Sequence, residues 1–231
     1  MKIYKVLKDI LSPKKCYSCK KEWRFICRKC ESKLSCFPAS CFECKWDSEE
    51  YKIHENCKNN EVYYDKIIIK YYYDWKYISK MVKDAKFYHK KDILAEFWEE
   101  LSEQLIYNCP DLNNSIIVPI PLHFLKKWKR WYNQCEVLSE SISNILKIPY
   151  HKNILYKKKY TRQQSKLSKQ KRLVNLQNTF AMRNKYVDII DKKQVILVDD
   201  IVSTGSTLNE VSKLLHSHWV KKIVCICIAS N

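Results

Sequence analysis

The stretch that most limits what this chain can become is Val195-Ile-Leu-Val-Asp-Asp-Ile-Val-Ser-Thr-Gly-Ser-Thr207. Four apolar residues, three of them β-branched, predict a strand buried on both faces, as in a parallel sheet. Asp199 and Asp200 stand at its carboxyl end. After a hydroxyl-rich turn, Leu208, Val211, Leu214 and Leu215 set a helical period. The capping-box spacing of Thr207 and Glu210 predicts a helix start near Thr207. Strand, acidic pair, small-residue loop and helix N-terminus together make an anion site. Backbone N–H groups and the positive helix end face a phosphate, and the loop hydroxyls add donors. The two acids would repel that phosphate. They suit the hydroxyls of an attached sugar, or a Mg²⁺ ion, about one loop-width away. Gly205 is the only glycine in 231 residues, which predicts positive φ or a ligand lying against the backbone. A plain strand-to-helix turn would leave the acidic pair unexplained.

This pattern resembles the phosphoribosyl-pyrophosphate (PRPP) motif of the type I phosphoribosyltransferases. The resemblance implies an α/β fold, a mainly parallel sheet flanked by helices. It implies that Asp199 and Asp200 hold the ribose 2′- and 3′-hydroxyls, and that Ser203, Thr204, Gly205, Ser206 and Thr207 wrap the 5′-phosphate. Ser203 stands where threonine is usual.

The N-terminal part has a different chemistry. Of 12 cysteines, eight lie between Cys16 and Cys57, a density that argues for metal rather than disulfides in a reducing compartment. Cys16, Cys19, Cys27 and Cys30 form two C-x₂-C knuckles seven residues apart, able to surround Zn²⁺ tetrahedrally. Cys41, Cys44, His54 and Cys57 offer a Cys₃His shell for a second Zn²⁺, with Cys36 a competing ligand. A segment this small needs metal as its folding energy. From Val62 the cysteines stop, which divides the chain into a zinc-ribbon domain over 1–61 and an α/β domain over 62–231. Cys225 and Cys227, in the apolar run Ile223–Ile228, read as packing residues.

Within the second part, Tyr63 to Tyr73 reads as one or two strands whose aromatics either pack or stack nucleic-acid bases. Ile78–Val82 and Ile93–Ile106 read as helices, the latter capped by Asp92. Ile116 to Leu122 is a strand stopped by Pro119 and Pro121. The cluster Lys126, Lys127, Lys129 and Arg130 either neutralises a polyanion or forms a solvated helix face. A helix carrying Val137, Leu138, Ile142, Ile145 and Leu146 follows. Lys157 to Arg172 is strongly basic with almost no apolar residue and reads as a loop, either a lid over the site that excludes water or a disordered surface loop.

The net charge of +18 implies attraction to polyanions, although a lysine- and isoleucine-rich composition also reflects coding bias. The apolar runs are too short for a membrane span, and the charges in residues 1–10 are too closely spaced for a signal-peptide core. The cytoplasm is therefore the expected compartment.

Three further segments, in order, resemble the ComF family of competence-associated phosphoribosyltransferase-like proteins. Val118-Pro-Ile-Pro-Leu122 with Arg130-Trp-Tyr-Asn-Gln134 is similar to its VPVPL and RGFNQ elements. Ala85-Lys86-Phe87 is similar to LKF. Thr161, Gln164, Leu167, Ser168, Arg172, Asn175 and Phe180 follow its TxxQ…LS…R…N…F stretch. Trp131 replaces the family glycine, and His54 a usual cysteine. The resemblance implies PRPP with Mg²⁺ as ligand, and Lys86, Arg130, Thr161, Gln164 and Arg172 near its pyrophosphate. It also implies a link to DNA uptake, with single-stranded DNA and other competence proteins as partners. Two functions fit: transfer of a phosphoribosyl group to an unknown amine or base, or PRPP sensing and single-strand binding without catalysis.

Overall fold

The computed structural model describes residues 13–58, 61–73, 76–88, 90–158 and 178–230. Thr161, Gln164 and Arg172, and most of the expected lid, lie outside the described residues.

Among the described residues six strands form: β1 (Lys66–Tyr72), β2 (Ser115–Pro119), β3 (Leu155–Lys157), β4 (Phe180–Met182), β5 (Gln194–Val202) and β6 (Lys222–Ser230). Four of them make a parallel sheet in the order β1-β6-β5-β2, and β3 pairs antiparallel with β4. The main helices are α1 (Lys76–Phe87), α2 (Ala95–Asn108), α3 (Phe124–Arg130), α4 (Gln134–Leu146) and α5 (Ser206–His216). The isoleucine- and valine-rich strands are buried on both faces because each face is covered. On one face Ile68, Ile196, Val198, Val224 and Ile226 pack against α1, α2 and α4. On the other, Ile67, Ile69, Val195, Leu197 and Cys225 pack against Leu208, Val211 and Leu215 of α5 and against the β3–β4 hairpin. Cys225 and Cys227 are fully buried packing residues, as their apolar run predicts.

The cysteine-rich segment contributes to both cores. Ile26 and Tyr51 join the α1–α2 side, while Cys41, Phe42 and Ile53 join the α5 side. The buried Lys66 ammonium donates to Glu50 at 3.0 Å and to the Asn108 carbonyl at 2.6 Å, pinning the segment to β1 and the end of α2.

Some local expectations are corrected. Asp92 does not cap the second helix; it lies in a 3₁₀ turn over Lys91–Leu94, and α2 begins at Ala95 behind Leu94. Thr207 and Glu210 form no capping box. The helix begins at Ser206 behind Gly205, and Glu210 instead accepts from the Asn178 amide at 2.9 Å. Tyr64 and Tyr71 are buried and hydrogen-bond to Glu43 and Glu100, so neither is open to stack a base.

Candidate functional site

Parallel α/β sheets bind ligands outside the carboxyl ends of their strands, where loops and helix N-termini converge. Here β2 and β5 run side by side, Pro119 opposite Val198, and the Ile120 amide donates to the Val198 carbonyl at 2.9 Å. The chain then leaves β2 through Pro121, while β5 carries the acidic pair just before its end at Val202 and leaves through Ser203. Between them lies a cleft of about 200 Å³ bounded by Ile120–Leu122, Asp199, Asp200 and Thr207, with Lys86, Lys126, Arg130 and Lys157 supplying cations. A smaller hollow is lined by Ser203, Thr204, Gly205, Ser206 and Thr207.

The acids have distinct environments. Asp200 accepts from Lys86 Nζ at 2.9 Å and from Gln134 Nε2 at 2.9 Å. Asp199 Oδ1 accepts from the Asp200 amide at 2.8 Å and from the Cys135 thiol at 3.4 Å. Enclosure at the sheet end, with the Asp200 charge beside it, pushes the Asp199 carboxyl up to about 7. Burial pushes the Cys135 thiol well up, with the two carboxylates adding to it, so it stays a protonated donor. Among the cations, burial and the Lys126 charge hold Lys157 down at about 8. Burial, then Arg130 and Lys86, also lower Lys126. These cations crowd one another around an acidic floor, an arrangement that an added polyanion would relieve.

In the loop, Thr204 Oγ1 and Ser206 Oγ share a hydrogen bond at 2.8 Å at the start of α5. Gly205 has φ +70°, as its place after the strand predicts. What crowds its α-carbon is protein. A Cβ there would fall 2.9 Å from Phe42 Cε1 and 3.0 Å from Tyr64 Oη.

The basic cluster is split by α3. Lys126 and Arg130, one helical turn apart, line the acidic cleft. Lys127 pairs with Glu136 at 2.7 Å and, with Lys129, flanks a separate cavity of about 680 Å³ lined by Phe124, Trp128 and Trp131. Trp131 holds φ +68°, a left-handed conformation in which glycine is the unstrained residue. Asn133 caps α4 by accepting from the Cys135 amide at 3.1 Å and ties it to β2 by donating to the Ile120 carbonyl at 3.0 Å.

Two clusters gather the cysteine ligands. Cys16, Cys19, Cys27 and Cys30 form one, and Cys41, Cys44, His54 and Cys57 the other, the ligand atoms of each within 4.8 Å of one another. Both donor sets suit tetrahedral Zn²⁺. His54 Nε2 lies 3.1 Å from the Asp47 carbonyl, to which it donates when protonated, leaving Nδ1, 3.3 Å from Cys44 Sγ, for a metal. Cys36 stands outside both clusters, exposed and bridged to the Tyr71 backbone.

Gln134 closes the Arg130–Gln134 element, but nothing in the sequence gives its side chain a role against Asp200. Cys135 is the next residue, and that adjacency is its one signal. Lys157 is corrected from the start of the lid to the end of β3, from which it lines the acidic cleft. Phe42 has no signal of its own, and Tyr64 reads only as part of an aromatic strand.

A phosphoribosyl transferase domain model matches residues 133–231, from the α4 cap through β6. The chain is 33% identical to competence protein F of Haemophilus influenzae over 86% of its own length and 87% of that protein's. It is 25% identical to the DNA utilization protein YhgH of Escherichia coli K12, over 65% of this chain and 66% of that one. A 41-residue stretch is 44% identical to a ribose-phosphate pyrophosphokinase of Sulfolobus acidocaldarius, covering 18% of this chain and 14% of that enzyme. A type I phosphoribosyltransferase-like sheet, two cysteine-rich clusters and a relative matched over nearly the whole length agree: the chain belongs to the competence protein F (ComF) family.

Proposed function

We propose that the protein binds PRPP with Mg²⁺ at the carboxyl ends of β2 and β5 and transfers the phosphoribosyl group to an amine or base, releasing pyrophosphate, in the service of DNA uptake. The observation that carries this is the meeting, at Asp199 and Thr207, of a cleft holding an acidic pair and four cations with the hydroxyl-lined hollow at the start of α5. The 5′-phosphate sits on Ser203–Thr207. Asp199 and Asp200 accept from the ribose hydroxyls, and Lys86 moves from Asp200 toward pyrophosphate. Lys126, Arg130 and Lys157 take up the charge that develops as the C1–oxygen bond breaks and its electron pair leaves with pyrophosphate. The family resemblance assigns Thr161, Gln164 and Arg172 to the pyrophosphate as well, on sequence alone. The two carboxylates are hard oxygen donors that fit Mg²⁺, which when bound screens the pyrophosphate charge. Each cysteine cluster holds a structural Zn²⁺.

Calorimetric titration tests this. Asp199→Asn with Asp200→Asn should weaken PRPP by at least about tenfold while sulfate, seated on the loop, still binds. Wild-type protein that binds no PRPP with Mg²⁺ present would remove the reading and leave only the fold.

A second activity, single-strand binding, is favoured by Trp128 and Trp131, 81% and 83% exposed, beside Lys127 and Lys129 around the separate cavity. Aromatic faces with adjacent cations suit stacked bases and their phosphates. The competence and DNA-utilization names of the relatives agree with that chemistry.

A further inference from the structure

The wall behind the phosphate loop is made by the second cysteine cluster. Phe42, between the ligands Cys41 and Cys44, is buried with its ring edge against Gly205. Lys45 caps that ring at 3.6 Å from its centroid. Tyr64 touches the same spot with its hydroxyl, which donates to Glu43, also between the two ligands. Beyond the last ligand, Cys57, the chain is fastened to α5. Asn209 donates to the Glu61 carbonyl at 2.5 Å and accepts from the Tyr63 amide at 2.9 Å, while its own amide donates to the Gly205 carbonyl at 2.8 Å.

We propose that the Cys41–Cys44–His54–Cys57 cluster sets the shape of the phosphate loop, with Phe42 and Tyr64 as positioning residues that act through Gly205. The lone glycine is then required from two sides. Positive φ disfavours any side chain, and the Phe42 edge and Tyr64 hydroxyl fill the volume a side chain would need. Metal in the cluster fixes the Cys41–Cys44 knuckle and hence the Phe42 ring. Without it Cys41 and Phe42 keep their packing in the α5-side core, but the knuckle loses its tie to His54 and Cys57. Metal occupancy and anion affinity are therefore linked, each favouring the same loop conformation. This rests on the phosphate-binding reading of the loop, but the linkage itself is read on the loop's amides, with or without a ligand.

The experiment compares wild type, Phe42→Leu, Phe42→Ala and Cys57→Ser by hydrogen exchange with mass spectrometry, beside elemental zinc analysis and PRPP calorimetry. Phe42→Ala should keep both zinc ions while exchange over 203–207 speeds up about tenfold, a local opening rather than a global one. Phe42→Leu should restore most of the protection. Cys57→Ser should lose one zinc and show the same accelerated segment. PRPP affinity should fall in the same order as protection. Unchanged exchange over 203–207 in Phe42→Ala or in Cys57→Ser overturns the proposal. So does an acceleration spread evenly over β5 and β6, which would mean plain destabilisation. If wild type binds no PRPP, the ligand reading fails and the exchange series alone decides the linkage.

Discussion

Asp199 is a carboxyl enclosed at the end of a sheet beside a second one. Its carboxyl is raised from 3.8 to about 7 by enclosure and by the charge of Asp200. The folded state therefore holds this proton more tightly than the unfolded chain does. Its contribution to stability is full below pH 4 and is lost as pH rises through about 7. Asp199→Asn abolishes that slope. The variant should melt a few degrees above wild type at pH 8 and level with it near pH 4, measured by thermal denaturation without ligand. A uniform shift at both pH values would mean that packing, not ionisation, separates the two proteins. Lys86 has the complementary role. At 2.9 Å its ammonium sits against Asp200, and under the proposed function it is the cation that pyrophosphate would claim.

At the scale of elements, β3 and β4 have no signature in the sequence, and α3 has only part of one. Its seven residues, five of them Lys, Arg or Trp, allow a solvated helix face but carry no apolar period that would fix its bounds. Its basic residues therefore read as one cluster, when the helix sorts them into two sites. Lys126 and Arg130 face the acids, and Lys127 and Lys129 flank the tryptophans. This split predicts separable effects on single-stranded DNA. Trp128→Ala with Trp131→Ala should lower affinity about tenfold or more at every salt concentration, because stacking is lost and ion contacts are kept. Lys127→Glu with Lys129→Glu should instead flatten the dependence of affinity on salt, because fewer counterions are released. Fluorescence anisotropy across a salt series separates the two, and parallel behaviour would argue against a stacking platform on α3. By contrast β5, its loop and α5 were legible at once. Their signals are local: a β-branched run, adjacent acids, one glycine and a helical period, all within 22 residues (195–216). The second cluster was legible from spacing, and His54 falls beside Cys44 as that spacing requires. Its docking on Gly205 was not, because Phe42 and Gly205 are 163 residues apart and each has an ordinary local reading.

At the scale of the whole molecule, the composition break at Val62 is a chemical boundary rather than a seam in the packing. The cysteine-rich segment places Ile26 and Tyr51 in one core and Cys41, Phe42 and Ile53 in the other. Polar ties cross the same boundary. Lys66 donates to Glu50, the Tyr17 hydroxyl donates to Asp84 at 2.6 Å, and Arg24 lies 3.5 Å from Glu96. Of these, Lys66 carries the most weight. It is fully buried, so removing its partner would leave an uncompensated charge, a loss of about 3–5 kcal/mol for a buried pair, tempered here because Glu50 is itself partly exposed. Two units that share cores and buried ions should not melt separately. We expect zinc-loaded protein to unfold in a single calorimetric transition, with matching calorimetric and van't Hoff enthalpies. A strong chelator should lower that transition, because each zinc binds the folded state in preference to the unfolded one. A fragment spanning 62–231 should expose the surfaces that Phe42, Ile53 and Tyr51 now cover, and should aggregate or bind a hydrophobic dye. Two well-separated transitions in the intact protein, or a soluble fragment with native-like melting, would show the cysteine-rich segment to be an appendage, and its contact with Gly205 would then be incidental to how the phosphate loop is held.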